Sequence, residues 1–173
     1  MQNKTVAFSK DASNLFFHIL TQCNLSCSHC YINPDQHGNK TLSIDTIQQW
    51  LGLFAQKAFQ TNLIFLGGEP TLHRDLPSAV KEARRLGFQS ITIDTNGFLF
   101  HDILKKITPD DVDVISFSLD GATPATNDAI RGKGSYDAVL SGIHRARKKG
   151  FTCSMIYTVS DRNLHELFRM PDL

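Results

Sequence analysis

"VDVISFSLDG", residues 112–121, alternates with a period of two. A strand sends successive side chains to opposite faces, so Val112, Val114, Ser116, Ser118 and Asp120 share one face, and Ile115, Phe117 and Leu119 share the other. The second face is apolar throughout. The first grows polar toward its C-terminal end. A sheet covered by helices on both faces is apolar on both. One apolar and one polar face predicts helices outside and a lined cavity inside: a curved, partly open barrel rather than a flat doubly wound sheet. The stretch from Phe151 repeats the pattern, with Thr152, Ser154, Thr158 and Ser160 set against Phe151, Cys153, Met155, Tyr157 and Val159.

Outward from that strand, β-type and helix-type runs alternate. "LFFHIL" (15–20), "NLIFL" (62–66) and "QSITID" (89–94) are the other expected strands. The first expected helix, 43–59, has Ser43 as N-cap and Ile44, Ile47, Trp50, Leu51, Phe54 and Ala58 on one face. Further helices are expected over 75–87, closed by Gly87, over 101–107, and over 136–150 with Ser135 as N-cap. Another begins in "LHELFRM" (164–170). Five β/α units in a row imply parallel strands with right-handed crossovers. The expected class is α/β, a partial (β/α) barrel. Residues 1–14 form a lead-in and 15–173 the core.

The turns after these strands are the cysteine loop "TQCNLSCSHCY" (21–31), "GGEP" (67–70), "DTNG" (94–97) and "SLDG" (118–121). In β/α barrels the active site lies at the C-terminal ends of the strands, so all four turns should converge on one mouth.

Composition narrows the class. The 173 residues are 41% hydrophobic and 20% charged, with a net charge of +1. No electrostatic footprint argues for nucleic acid or an anionic membrane. The basic run Arg145–Lys149 falls where a helix should end, and suits the helix dipole there. No apolar run is long enough to span a membrane, and the N-terminus lacks a signal-type core, so a cytoplasmic protein is expected.

Cys23, Cys27 and Cys30 place three of four cysteines within eight positions. In a reducing compartment such clustering points to metal or catalysis. Thiolates select zinc, copper(I) or iron–sulfur clusters. Zinc would need a fourth ligand, for which His29 and His37 are candidates. A cubane cluster normally takes four cysteines, so three leave one iron open.

Cys23-x3-Cys27-x2-Cys30 after the first strand, with "GGEP", "TNG" and "SLDG" after the next three, resembles the radical S-adenosylmethionine superfamily. "NDAIRGKGSYDAVLSGI" (127–143) is similar to its branch of sulfatase-maturating and peptide-modifying enzymes. The resemblance implies that Cys23, Cys27 and Cys30 hold a [4Fe–4S] cluster whose open iron takes S-adenosylmethionine. It implies reductive cleavage of that cofactor to a 5′-deoxyadenosyl radical, which abstracts a substrate hydrogen. It also implies a reduced flavodoxin- or ferredoxin-type donor. The substrate implied is a peptide or protein side chain. Branches acting on small molecules in molybdenum-cofactor, haem and quinone-cofactor biosynthesis share the core. A non-catalytic cluster- or zinc-binding module is the alternative from another class.

By the same resemblance Glu69 accepts from the cofactor's ammonium, and Gly67 and Gly68 let backbone approach it. Ser118 and Asp120 either contact ribose or carboxylate, or cap the turn. Arg131 either binds the methionyl carboxylate or is a solvated loop arginine. His29 is expected to pack or hydrogen-bond rather than ligate, Tyr31 to pack, and Cys153 and His18 to sit in the core. Asn96 shapes its turn. The family core has six β/α units against five here, and the branch usually adds a cysteine-rich C-terminal extension. The sequence is therefore expected to be a truncated core with an exposed apolar sheet edge.

Overall fold

A computed structural model describes residues 13–172 apart from Asn33 and Asn39. Most of the expected lead-in lies outside the described residues. Five parallel strands, β1 (Ser13–His18), β2 (Thr61–Leu66), β3 (Ser90–Thr95), β4 (Val114–Ser118) and β5 (Cys153–Ile156), stand in the order β1-β2-β3-β4-β5. The α/β class and the partial barrel are as the alternation predicts.

Register explains the two faces. Phe17, Phe65, Ile93, Ile115 and Cys153 are successive cross-strand partners, and Leu15, Leu63 and Ile91 form a second such row. Most of these are buried under the helices, and each fully buried apolar side chain contributes about 1.5–3 kcal/mol. The opposite face carries the rows Phe16–Ile64–Thr92–Val114 and Asp94–Ser116–Ser154, then the pair Ser118–Ile156. Phe16 on this face is 57% exposed, so the inner side is open. The edge strand β5 exposes Met155 and Ile156.

Helices α1 (Ile44–Phe54), α2 (Leu76–Arg85), α3 (Ile103–Lys106), α4 (Pro124–Arg131) and α5 (Ser135–Lys148) fill the crossovers. Ser43 caps α1 by accepting from Thr46 N–H at 3.2 Å. Only Ile47 and Leu51 of α1 are buried. Trp50 and Phe54 are 46% and 41% exposed and stack on each other, and the expected helix gives way to a 3-10 turn over Ala55–Gln60. Helix α4 is not among the expected elements. Thr123 caps it and Pro124 opens it, in a segment too short for a clear apolar stripe. Its Asp128 caps α5: Oδ2 accepts from Gly134 N–H at 2.6 Å and Oδ1 from Tyr136 N–H at 2.9 Å. The cap position of α5 is Gly134, not Ser135. Leu164–Asp172 forms 3-10 turns rather than an α-helix.

Two approaches fix the mouth. Gly97 and Gly142 meet back to back: a Cβ on Gly142 would lie 2.4 Å from the Gly97 carbonyl oxygen. The cysteine loop is pinned at its base by an antiparallel bridge between Leu20 and Thr41, and Thr21 N–H donates to the Lys40 carbonyl at 2.9 Å.

Candidate functional site

A cavity of about 300 Å³ opens at the C-terminal ends of the strands. Cys23, Cys27 and Cys30 line it, and Gly67, Gly68, Asn96, Ser118 and Arg131 are among the other lining residues. The four turns converge as expected for this end of a β/α sheet.

All three thiols are free of disulfides, and each has a nitrogen near its sulfur. Leu25 N–H donates to Cys23 Sγ at 3.4 Å, with Asn96 Nδ2 at 3.9 Å. Arg131 Nη1 stands 4.0 Å from Cys27 Sγ, and His37 Nε2 3.3 Å from Cys30 Sγ. Burial pushes the Cys23 thiol up, against the Leu25 N–H. Burial also pushes the Cys27 thiol up, against the Arg131 charge. A soft cation that displaces the protons relieves this cost. A mononuclear zinc site needs its donors gathered about one point. Among the described residues no three His, Cys, Asp or Glu side chains are so gathered. Three thiols that line one cavity are soft donors that fit an iron–sulfur cluster, and three rather than four leave one iron without a protein ligand.

Gly67 and Gly68 line the cavity, and their bare backbone also lies against the cysteine loop. A Cβ on Gly67 would lie 2.3 Å from the Leu20 carbonyl oxygen, and one on Gly68 2.1 Å from that of Gln22. Gly68 N–H donates to Leu20 O at 3.1 Å and Glu69 N–H to Gln22 O at 2.9 Å. The missing side chains thus let the second turn lie against the root of the cysteine loop. Glu69 is fully buried. Its Oε1 accepts from Thr71 N–H at 3.0 Å, Thr71 Oγ1 at 2.6 Å and Thr95 Oγ1 at 2.8 Å, and its Oε2 from Asn96 N–H at 2.7 Å. Burial pushes this carboxyl up, and the four donors pull it down. It braces two turns and is not among the residues that line the cavity.

Ser118 lines the cavity, whereas Asp120 is fully buried behind it. Asp120 Oδ1 accepts from Thr158 N–H at 2.7 Å. Its Oδ2 faces Arg131 Nε at 2.6 Å and His29 Nε2 at 3.1 Å. Arg131 is therefore no solvated loop arginine; its Nε side is taken by Asp120. His29 makes no aligned hydrogen bond to Asp120; its Nε2 stands beside that carboxylate, and burial holds its imidazole down. Tyr31 is 70% exposed at the rim, edge-on to His18, which is exposed rather than in the core. Cys153 is half-buried against the outer core. Asn96 shapes its turn, accepting from Phe98 N–H, while its amide donates to Asn24 Oδ1 at 2.7 Å.

Other residues escaped the sequence reading. Asp94 lines the cavity from the inner face of β3, and burial pushes its carboxyl up to about 6, against a hydrogen bond from Ser116. The period-two pattern carries it there, two residues beyond Thr92. Asn163 donates from Nδ2 to the carbonyls of Asp120 at 3.0 Å and Thr158 at 2.9 Å. Glu166 accepts from the backbone N–H groups of Ala122 at 2.6 Å and Thr123 at 3.1 Å. Their contacts to the Asp120–Thr123 turn each span more than forty residues, although Asn163 also closes a local turn with Ser160.

The model of the family described as the Radical SAM superfamily matches residues 18–171. Over 170 residues the chain is 33% identical to the Fe-coproporphyrin III synthase of Methanosarcina barkeri, covering 96% of this chain and 42% of that protein. Over 168 residues it is 32% identical to a probable GTP 3′,8-cyclase of Saccharolobus islandicus, covering 96% and 54%. The chain thus spans about half the length of these curated relatives. Streptococcus suis SuiB bound to S-adenosylmethionine superposes with a TM-score of 0.78 at 16% identity, over 93% of this chain and 37% of SuiB. That likeness shows the fold, a parallel sheet of partial-barrel form.

Proposed function

The chain belongs to the radical S-adenosylmethionine superfamily, and from that premise we propose that it forms the cluster- and cofactor-holding core of a radical enzyme. The observation that carries this reading is that Cys23, Cys27 and Cys30 line one cavity together with Gly67, Ser118 and Arg131. A [4Fe–4S] cluster with S-adenosylmethionine would supply a 5′-deoxyadenosyl radical that abstracts a substrate hydrogen.

The side chains here hold and aim rather than react. Cys23, Cys27 and Cys30 provide the thiolates. Arg131, its Nε paired with Asp120, keeps Nη1 on the Cys27 side and so offers a fixed cation for a carboxylate. Ser118 offers a hydroxyl from the inner face. Glu69 holds the GGEP and TNG turns at a set distance. Asp94 and Tyr31 line the cavity and are candidates for touching substrate.

Two substrate classes have separate support. SuiB has been solved with its precursor peptide SuiA and superposes with a TM-score of 0.77, which favours a peptide side chain. The curated relatives at 32–33% identity are named for small-molecule reactions, which favours a small molecule. The electron donor is proposed to be a reduced flavodoxin or ferredoxin.

Anaerobic reconstitution with iron and sulfide tests the core proposal. The expected result is about four irons per chain and 5′-deoxyadenosine on adding dithionite with S-adenosylmethionine. A cluster without 5′-deoxyadenosine points to the non-catalytic module. Stoichiometric zinc without iron from anaerobic expression rejects the cluster.

A further inference from the structure

We propose that His37 tunes the reduction potential of the cluster by donating a hydrogen bond to the Cys30 sulfur. The inference rests on the reading of the three cysteines as cluster ligands.

His37 lies on the return limb of the cysteine loop, just after the turn Pro34–Gln36. Its Nε2 is 3.3 Å from Cys30 Sγ and 3.1 Å from the Ile32 carbonyl oxygen. The carbonyl can only accept. A lone pair on Nε2 would face it repulsively, so the proton sits on Nε2, shared between the carbonyl and the sulfur. The contact is local to the loop, and the bridge between Leu20 and Thr41 holds the loop's base. The imidazole is thus placed by contacts within the loop itself.

The other two cysteines have weaker side-chain partners. Asn96 Nδ2 is 3.9 Å from Cys23 and Arg131 Nη1 is 4.0 Å from Cys27. Cys30 thus has the closest side-chain donor of the three. Reduction adds one electron from an external low-potential reductant and moves no proton. The added charge spreads onto the sulfurs, so a donor aimed at Sγ favours the reduced form and raises the potential. His37 acts through Cys30 and is a positioning residue.

The test is dye-mediated potentiometry of the reconstituted chain, followed by the electron paramagnetic resonance of the reduced cluster, with iron and sulfide counted in parallel. His37→Phe keeps a ring but removes the donor. Its expected result is unchanged iron and a midpoint lower by about 59 mV, a tenfold loss in the reduced-to-oxidised ratio for one electron. His37→Gln, which retains an N–H donor, is expected to restore most of the shift. An unchanged midpoint in His37→Phe overturns the inference while the cluster reading stands. If His37→Phe loads no iron, His37→Gln decides: a wild-type midpoint supports the inference and the lowered one overturns it. If neither variant loads iron, His37 is structural and the inference fails. Stoichiometric zinc in the wild-type chain overturns both the cluster reading and the role of His37.

Discussion

Arg131 Nε lies 2.6 Å from Asp120 Oδ2, and both side chains are buried. The last residue of α4 is thereby locked to the turn after β4. The two atoms meet as charges rather than as an aligned hydrogen bond. Such a pair need not stabilise relative to apolar residues, but breaking it strands a charge. Arg131→Ala is expected to destabilise the metal-free chain by about 3–5 kcal/mol, measured by urea unfolding. Arg131→Lys should cost less, because it keeps the charge and loses only the planar fork. Equal midpoints for Arg131→Ala and wild type would show that Asp120 does not depend on this partner.

Gly68→Ala addresses the second turn. Its Cβ would meet the Gln22 carbonyl oxygen at 2.1 Å, a backbone atom that cannot rotate away. Gln22 immediately precedes Cys23, so relief of the clash displaces a thiol. The expected outcome is a loss of about 1–3 kcal/mol in stability and a fall in reconstituted iron. Gly52→Ala, where a Cβ would meet nothing within 4 Å, is the control and should load iron as wild type does.

The strands and the convergence of the turns were legible because period-two alternation and Gly- or Cys-rich turns are local signals. The same alternation in β4 and β5 revealed the open inner face. What stayed hidden was long-range. The bracing role of Glu69 was not visible in the sequence, because Thr95 and Asn96 are 26 and 27 residues away. Asn163 and Glu166 likewise act on the Asp120 turn from 43 and 44 residues away. Trp50 and Phe54 share the periodic face of α1 yet stay exposed, because periodicity gives a face and not how far the packed layer reaches.

Asp94 predicts a pH dependence. Burial raises its carboxyl from 3.8 to about 6, aided by the Glu69 charge and opposed by Ser116. Between these values the folded chain binds more protons than the unfolded one, so this group's contribution falls as pH rises. The stabilisation is present below the unfolded value and lost as pH passes through the folded one. Asp94→Asn should remove that slope. At pH 8 it should match or exceed wild type by about 1–3 kcal/mol, allowing for partial exposure to the cavity. Urea unfolding of both metal-free chains across pH 4–8 is the measurement; parallel curves would place the charge cost elsewhere.

Glu69→Gln separates bracing from ligand contact. The carboxylate receives three donors on Oε1 and one, Asn96 N–H, on Oε2. A glutamine oxygen can keep the first three. Its amide then faces the Asn96 N–H, donor against donor, inside a fully buried site. The reverse flip sets the amide against three donors and is worse. Neutralising the side chain does remove the cost of burying its charge, which burial makes substantial. One lost charge-assisted bond, an unsatisfied Asn96 N–H and an amide with no acceptor outweigh that gain, and a net loss of about 1–3 kcal/mol is expected. Glu69→Ala loses all four acceptor contacts and should cost more. Both losses should appear as a lower midpoint without S-adenosylmethionine present. A wild-type midpoint combined with weakened cofactor binding in Glu69→Gln would instead assign this carboxylate to the ligand.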